Sequence, residues 1–183
     1  MTPADKLLDH FDRLAGSEAR LVRISDEGQS PAMHAALYSG FPQHNTLTGF
    51  TLGLSHFHPE GGAHKELTIS MRDDDESWVH ACGFVAHQLR EHCLFACGDT
   101  INFRAQIANS SDMSAFIVVH PSHIPPHDTI VDIGVRQIEV VQLLPIYEQE
   151  LNWLNEGGEP QLFLDAFSET EFMDPKRKPF GRP

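Results

Sequence analysis

Between Arg20 and Arg72 the chain offers four strand-like segments in succession, with no helical pattern between them. "RLVRI" (Arg20–Ile24) alternates, "AALYSGF" runs to Phe41, "LTGFTLGLS" spans Leu47–Ser55, and "KELTISMR" spans Lys65–Arg72. Pro42 with Asn45, and later "PEGGAH", supply turn chemistry between them. Leu67, Ile69 and Met71 fall on one face of the last segment, which predicts a half-buried strand. The glycines inside Leu47–Ser55 predict a bend or bulge there. These last two segments form a predicted hairpin with a long, histidine-bearing tip. Strands laid down in runs exclude the strict alternation of a doubly wound sheet.

Helical patterns flank and interrupt this run. Thr2, Pro3 and Asp5 mark a helix start, Leu7, Leu8, Phe11 and Leu14 recur at helical spacing, and Gly16 ends the segment. The acids of Asp73–Ser77 open a second helix, where the helix dipole favours negative charge. Its buried stripe is Trp78, Val79, Cys82, Val85, Ala86 and Leu89, and it is expected to stop near Cys93. "CGDTINF" is extended, "AFIVVHP" is a strand, His120–Asp128 is a proline- and histidine-rich loop, and Val135–Ile146 is a long strand. "YEQELNWLNEGG" and "PQLFLDAF" are the last predicted helices. The predicted fold is α+β, a mixed and largely antiparallel sheet packed with α-helices.

No internal repeat or composition shift divides the 183 residues, so residues 1–172 are expected to form a single domain. The tail 173–183, "MDPKRKPFGRP", concentrates four of the 13 basic residues and three prolines, and is expected to be extended and exposed. Thirteen basic residues against 26 acidic ones leave a net charge of −13. Such a chain is repelled by phosphate backbones and attracts basic proteins, so nucleic acid is excluded as a partner. No apolar run is long enough to span a membrane, no secretory signal opens the chain, and three cysteines cannot complete a disulfide set. A cytoplasmic setting is expected.

The clusters that look chemical do not assemble a catalytic centre. Ser55, in Gly53-Leu54-Ser55-His56-Phe57, lacks the second glycine and the following helix of a nucleophile elbow. His56, His58 and His64 could offer imidazoles to a metal, and a zinc-dependent hydrolase built on them is one alternative. His87, His92, Cys93 and Cys97 also include zinc-type ligands, but His87 and His92 are five apart and point to different faces of a helix. No phosphate loop or dinucleotide fingerprint is present. A non-enzyme without cofactor is expected.

The order of motifs carries more than any one of them. "TLGLS", a variable loop, "KELTISM", and then "SWVHACGFVAHQLREHCLFACGDTI" resemble the suppressor of fused family. The marks are Gly53 and Ser55, Glu66 and Leu67, Trp78 opening a helix, and the Gly98-Asp99 turn. "VRQIEVVQLLPIYEQELNWL" resembles the family's late strand and helix start, and "FMDPKRK" resembles its closing motif through Asp174 and Arg177. The resemblance runs from about Leu37 to Arg177.

It implies a non-enzymatic protein-binding domain. Animal members sequester Gli transcription factors by gripping an extended peptide between two domains, partly through strand pairing. Bacterial members are commonly single-domain and are assigned as immunity proteins against polymorphic toxins. The acidic residue of the family's G-D turn, which contacts the peptide, falls at Asp99, and a companion tyrosine is replaced here by His87. The expected partner is a protein, with a basic toxin domain as the candidate, and a cytoplasmic adaptor role unrelated to toxins is a further alternative.

Overall fold

Thr2 starts the first helix by a reciprocal pair of hydrogen bonds. Its hydroxyl accepts from the Asp5 N–H at 3.1 Å, and the Asp5 carboxylate accepts from the Thr2 N–H at 2.6 Å. Helix α1 (Pro3–Ala15) then ends at Gly16, whose left-handed φ of 68° suits glycine. The structure, a computed structural model, describes residues 2–28, 30–57 and 62–181.

Strands β1 (Arg20–Arg23), β2 (His34–Ser39), β3 (Leu47–Leu52) and β4 (Lys65–Met71) form an antiparallel meander. Helix α2 (Ser77–Leu89) follows, then β5 (Thr100–Asn102), β6 (Ala115–Val119), β7 (Ile130–Asp132) and β8 (Gln137–Ile146). Helices α3 (Glu148–Asn155), α4 (Pro160–Asp165) and α5 (Glu169–Phe172) close the chain. The eight strands make one sheet in the order β1-β2-β3-β4-β8-β6-β5, with β7 beside β8. Among the described residues only the β4–β8 pairing is parallel, from Lys65↔Glu139 to Thr68↔Gln142. The fold is the mixed, largely antiparallel α+β architecture that the sequence pattern predicts. No helix among the described residues is long and apolar enough to cross a membrane.

Alternation along the strands divides the core between the two faces. Ala35 and Leu37 of β2 join Trp78, Val79, Cys82 and Val85 of α2, whereas Ala36 and Tyr38 join Leu7 and Phe11 of α1. Phe11 stacks on Phe50 with ring centres 4.2 Å apart. Gly49 lets α2 seat closely, since a Cβ there would come within 2.6 Å of the Val79 side chain. A third cluster packs Leu151, Leu154 and Phe163 of the last helices over Ala115, Ile117, Leu144 and Ile146.

The structure corrects several sequence expectations. β4 is buried on both faces rather than one: the turn after β3 encloses Glu66, and the loop after β6 reaches Ser70. There Thr48 and Ser70 hydroxyls lie 2.7 Å apart, and Ser70 Oγ is 3.1 Å from His123 Nε2. The segment Leu47–Ser55 leaves the sheet after Leu52, and Ser55 sits in a 3-10 turn over Leu54–His56. Helix α2 ends at Leu89, short of Cys93. The exposed tail is not observed at Met173, Pro175 and Arg177, which are buried.

His123 gives this packing a pH dependence. Its ring meets Phe41 edge-on, and its Nδ1 is buried without a hydrogen-bond partner among the described residues. Burial lowers its pKa from 6.5 to about 4. The folded state therefore favours the neutral ring, and its contribution to stability is complete above the unfolded value and declines as pH falls from 6.5 toward about 4. In urea unfolding, the native protein should lose up to about 3 kcal/mol more than His123→Gln across that window. Parallel stability profiles for the two proteins would show that this histidine does not drive the loss.

Candidate functional site

Gly53 is required twice at the end of β3. Its φ is 117°, and a Cβ would lie 2.8 Å from the Ala32 carbonyl oxygen. This backbone aims successive N–H groups at the buried carboxylate of Glu66. Oε1 accepts from the N–H of Gly53 and of Ser55, each at 3.0 Å. Oε2 accepts from the Thr51 hydroxyl at 2.6 Å and the Leu54 N–H at 3.3 Å. Burial pushes the Glu66 carboxyl above its ordinary pKa, and the hydrogen bonds from Thr51, Ser55 and Gly53 counter that push. Gly53, Ser55 and Glu66, separated in sequence, are thus one structural unit.

The histidines beside this unit face other partners. His64 Nδ1 lies 2.9 Å from the Ser55 carbonyl oxygen, and His56 Nδ1 lies 3.3 Å from Arg136 Nη2. His58 lies outside the described residues. Along the second candidate cluster, His92 and Cys97 are exposed, while Cys93 Sγ accepts from the Phe95 N–H at 3.3 Å. Cys82 is buried in the α2 stripe as its position predicts. Among the described residues, no three His, Cys, Asp or Glu side chains converge as a metal site.

At the other end of the chain, Arg177 docks on Glu150. Its Nη1 and Nη2 donate to the two carboxylate oxygens at 2.6 and 2.7 Å, with both side chains almost wholly buried. The same carboxylate accepts from the N–H of Tyr147 at 2.8 Å and of Phe180 at 2.7 Å. The guanidinium lies over Phe167 at 4.7 Å and Tyr147 at 5.2 Å. Asp174 accepts from Arg72 Nη2 at 3.0 Å, and the buried Trp78 donates its indole N–H to Asp73 at 2.9 Å. Sequence reasoning missed Glu150. Its only signal was a carboxylate in the first turn of α3, the position that also bonds the Tyr147 N–H.

Asp99 and Gly98 shape the approach to β5. Gly98 adopts φ 97°, and its N–H donates to the Val118 carbonyl at 2.8 Å. The Asp99 carboxylate accepts from the Ala96 N–H at 2.8 Å through Oδ2. The Val118 N–H donates to the Asp99 carbonyl and the Phe103 N–H to the Ser114 carbonyl, so residues 99, 101 and 103 bond toward β6. Thr100 and Asn102 consequently direct their N–H and C=O groups outward, where no strand pairs among the described residues. Half-exposed Phe84 of α2 stands edge-on to Phe103, which stands edge-on to Phe116. His87 is half-buried in the last turn of α2, with its carbonyl accepting from Arg90 Nη1. No hydrogen bond or ion pair joins it to Asp99 among the described residues.

The family model described as Suppressor of fused protein (SUFU) matches residues 30–178. The chain belongs to the suppressor of fused family. Solved structures of similar fold include the suppressor of fused homolog from Neisseria gonorrhoeae FA 1090, with a TM-score of 0.73 and 15% identity over 96% of this chain and 95% of that one. The Sufu–Fu complex has a TM-score of 0.67 and 14% identity, covering 97% of this chain and 91% of that one. Drosophila Suppressor of Fused has the same TM-score and identity, with 97% of this chain aligned to 51% of its length, so the chain spans about half of that protein. No curated protein matches the chain.

Substitutions test the two buried carboxylate units of the suppressor of fused fold. Glu66→Gln sets amide hydrogens against backbone donors and should cost at least about 2 kcal/mol in chemical denaturation. A cost below about 0.5 kcal/mol would remove Glu66 from this role. Arg177→Met leaves Glu150 buried without its cation and should cost about 3–5 kcal/mol, and adding Glu150→Leu should recover part of that loss. Strictly additive losses in the double variant would show that the two groups are not coupled.

Proposed function

We propose that this chain is a non-enzymatic protein-binding domain that takes an extended segment of its partner along the outer edge of β5. The unpaired edge beside half-exposed Phe84 and the partly buried Phe103 carries this reading. Thr100 and Asn102 offer backbone donors and acceptors, and the aromatic pair offers an apolar anchor for a side chain of the added strand. Asp99 stands at the start of the edge, where it can meet a cationic residue of the partner, and His87 takes the place of the family's companion tyrosine. The solved complex of a similar fold with Fu supports protein binding as the role of such a domain.

The partner proposed is a basic toxin domain, and the role that of a cytoplasmic immunity protein. A net charge of −13 would steer a basic partner to the surface and make the encounter sensitive to salt. The near-complete mutual coverage with the Neisseria homolog supports a bacterial, single-domain type.

Co-expression with a basic toxin encoded beside the gene should rescue growth, and the purified pair should bind more weakly as salt rises. Phe84→Asp, at an exposed position, should weaken binding roughly thirtyfold, the scale of an interface hot spot. Asn102→Pro, which removes an outward N–H, should also weaken it. Failure of rescue overturns the immunity role, and unchanged binding by both variants overturns the β5 edge as the site.

A further inference from the structure

A second free edge runs along β7. The Val140 N–H donates to the Thr129 carbonyl at 2.8 Å and the Ile133 N–H to the Arg136 carbonyl at 3.1 Å, with Val131 opposite Ile138 between them. Residues 129, 131 and 133 therefore bond toward β8. Ile130 and Asp132 direct their N–H and C=O groups outward, where no strand pairs among the described residues. The Ser114 N–H donates to the Ile146 carbonyl at 3.1 Å, so even-numbered residues of β8 bond both to the β6 segment and to β7. β6 and β7 thus lie on the same side of β8, and the β5 and β7 edges open on one margin of the sheet. Along that margin β5 is level with Pro145 and β7 with Ile138, roughly 23 Å apart.

The surroundings of this edge select what can add to it. An open groove of about 500 Å³ separates β7 from α1, whose Lys6, Asp9 and Arg13 share one helix face. Val131 packs into the α1 core, so Ile130 and Asp132 carry their side chains on the opposite face of the strand. Free edges are commonly blunted by charge or proline, yet Ile130 is 47% exposed. Arg13 and His127 both turn to Asp128, at 3.9 and 3.1 Å. Asp9, Asp132 and Lys6 form no ion pair among the described residues. Asp132 Oδ1 accepts the Gly134 N–H at 2.7 Å, and the Lys6 ammonium lies beside the same glycine. Two carboxylates against one ammonium leave the edge negative, in a chain whose net charge is −13.

We propose that the β7 edge is a second docking site, which takes an extended segment of a partner protein bearing an apolar and a basic residue two positions apart. Residues of an added strand directly opposite Ile130 and Asp132 fall on the face that carries those side chains. The apolar residue then packs on Ile130, the basic one meets Asp132, and the residue between them turns toward α1. A second copy of this chain is a poor occupant, because two chains of charge −13 repel. The site does not depend on the β5 edge, so its failure would leave that reading intact.

The test titrates the isotope-labelled full chain with the blocked peptide Ser-Ile-Thr-Arg-Thr-Ile-Ser, whose pattern reads the same in both strand directions. A matched peptide carries glutamate in place of arginine. The arginine peptide should give saturable amide NMR shifts at Ile130 and Asp132 and slow hydrogen exchange at these two outward N–H groups. The glutamate peptide should bind roughly fivefold or more weakly, the scale of one cross-strand charge pair. Asp132→Lys should reverse that order, and Ile130→Ser should weaken both peptides. Phe84→Asp should leave the response at β7 unchanged, which separates this site from the β5 edge. A well-dispersed spectrum confirms that each variant is folded. No saturable shifts at Ile130 and Asp132, equal binding of the two peptides, or an unreversed order in folded Asp132→Lys would overturn the proposal. Dimerisation of the free chain through β7 would overturn it in favour of a second copy.

Discussion

Four residue pairs between β4 and β8 join the two halves of the molecule, since this parallel ladder links the β1–β4 meander to the strands that follow α2. A parallel pair needs a long crossover, and here the crossover contains α2, β5, β6 and β7. Lys65 opens the ladder and forms an ion pair with Glu139 at 3.4 Å. Its ammonium also donates to the Phe95 carbonyl at 2.8 Å, four residues before Asp99. The seam at the middle of the sheet therefore anchors the segment that turns into the β5 edge. Position and orientation of that edge follow from the seam rather than from β5 itself, which is only three residues long.

Two buried carboxylates do for irregular backbone what hydrogen-bond ladders do for strands. Glu66 gathers the N–H groups of a turn that has left the sheet, and Glu150 gathers those of a helix start and of the C-terminal segment. Each would be costly to bury alone, and each is satisfied by several donors. They differ in their compensation. Glu150 has a cation in bidentate contact, whereas Glu66 relies on neutral dipoles and one hydroxyl. Arg177 further donates to the Pro145 carbonyl at 3.3 Å, which fastens the C-terminal segment to the end of β8.

The fold class was legible because strand runs and apolar spacing report directly on layers. Three of the residues that carry the resemblance have geometric duties that few other residues can perform. Gly53 and Gly98 hold positive φ, and Trp78 fills the core while its indole reaches Asp73. The half-buried reading of β4 failed because Thr68 and Ser70 look like a wet face, and nothing local reveals that both are buried and that a loop bearing His123 meets Ser70. β7 has only three residues, too few for a period to show. Arg177 reads as exposed among Lys176, Lys178 and prolines, and its partner lies 27 residues earlier. The β5 edge itself was invisible in sequence, since a free edge is a property of strand order and not of the strand.

The distribution of cations bears on how such a domain would meet a partner. Arg177 and Lys65 are withdrawn into pairs with Glu150 and Glu139, their side chains only 2% and 11% exposed. Each withdrawn pair leaves the net charge of −13 unchanged but removes a positive group from the surface mixture. The outer field is thus more uniformly negative than the composition alone would give. In the proposed binding mode the two contributions then act at different distances. The field acts across solvent and is screened by salt, so it governs the rate of encounter. Strand pairing at Thr100 and Asn102 and the Phe84–Phe103 anchor act only in contact, so they govern how long the partner stays.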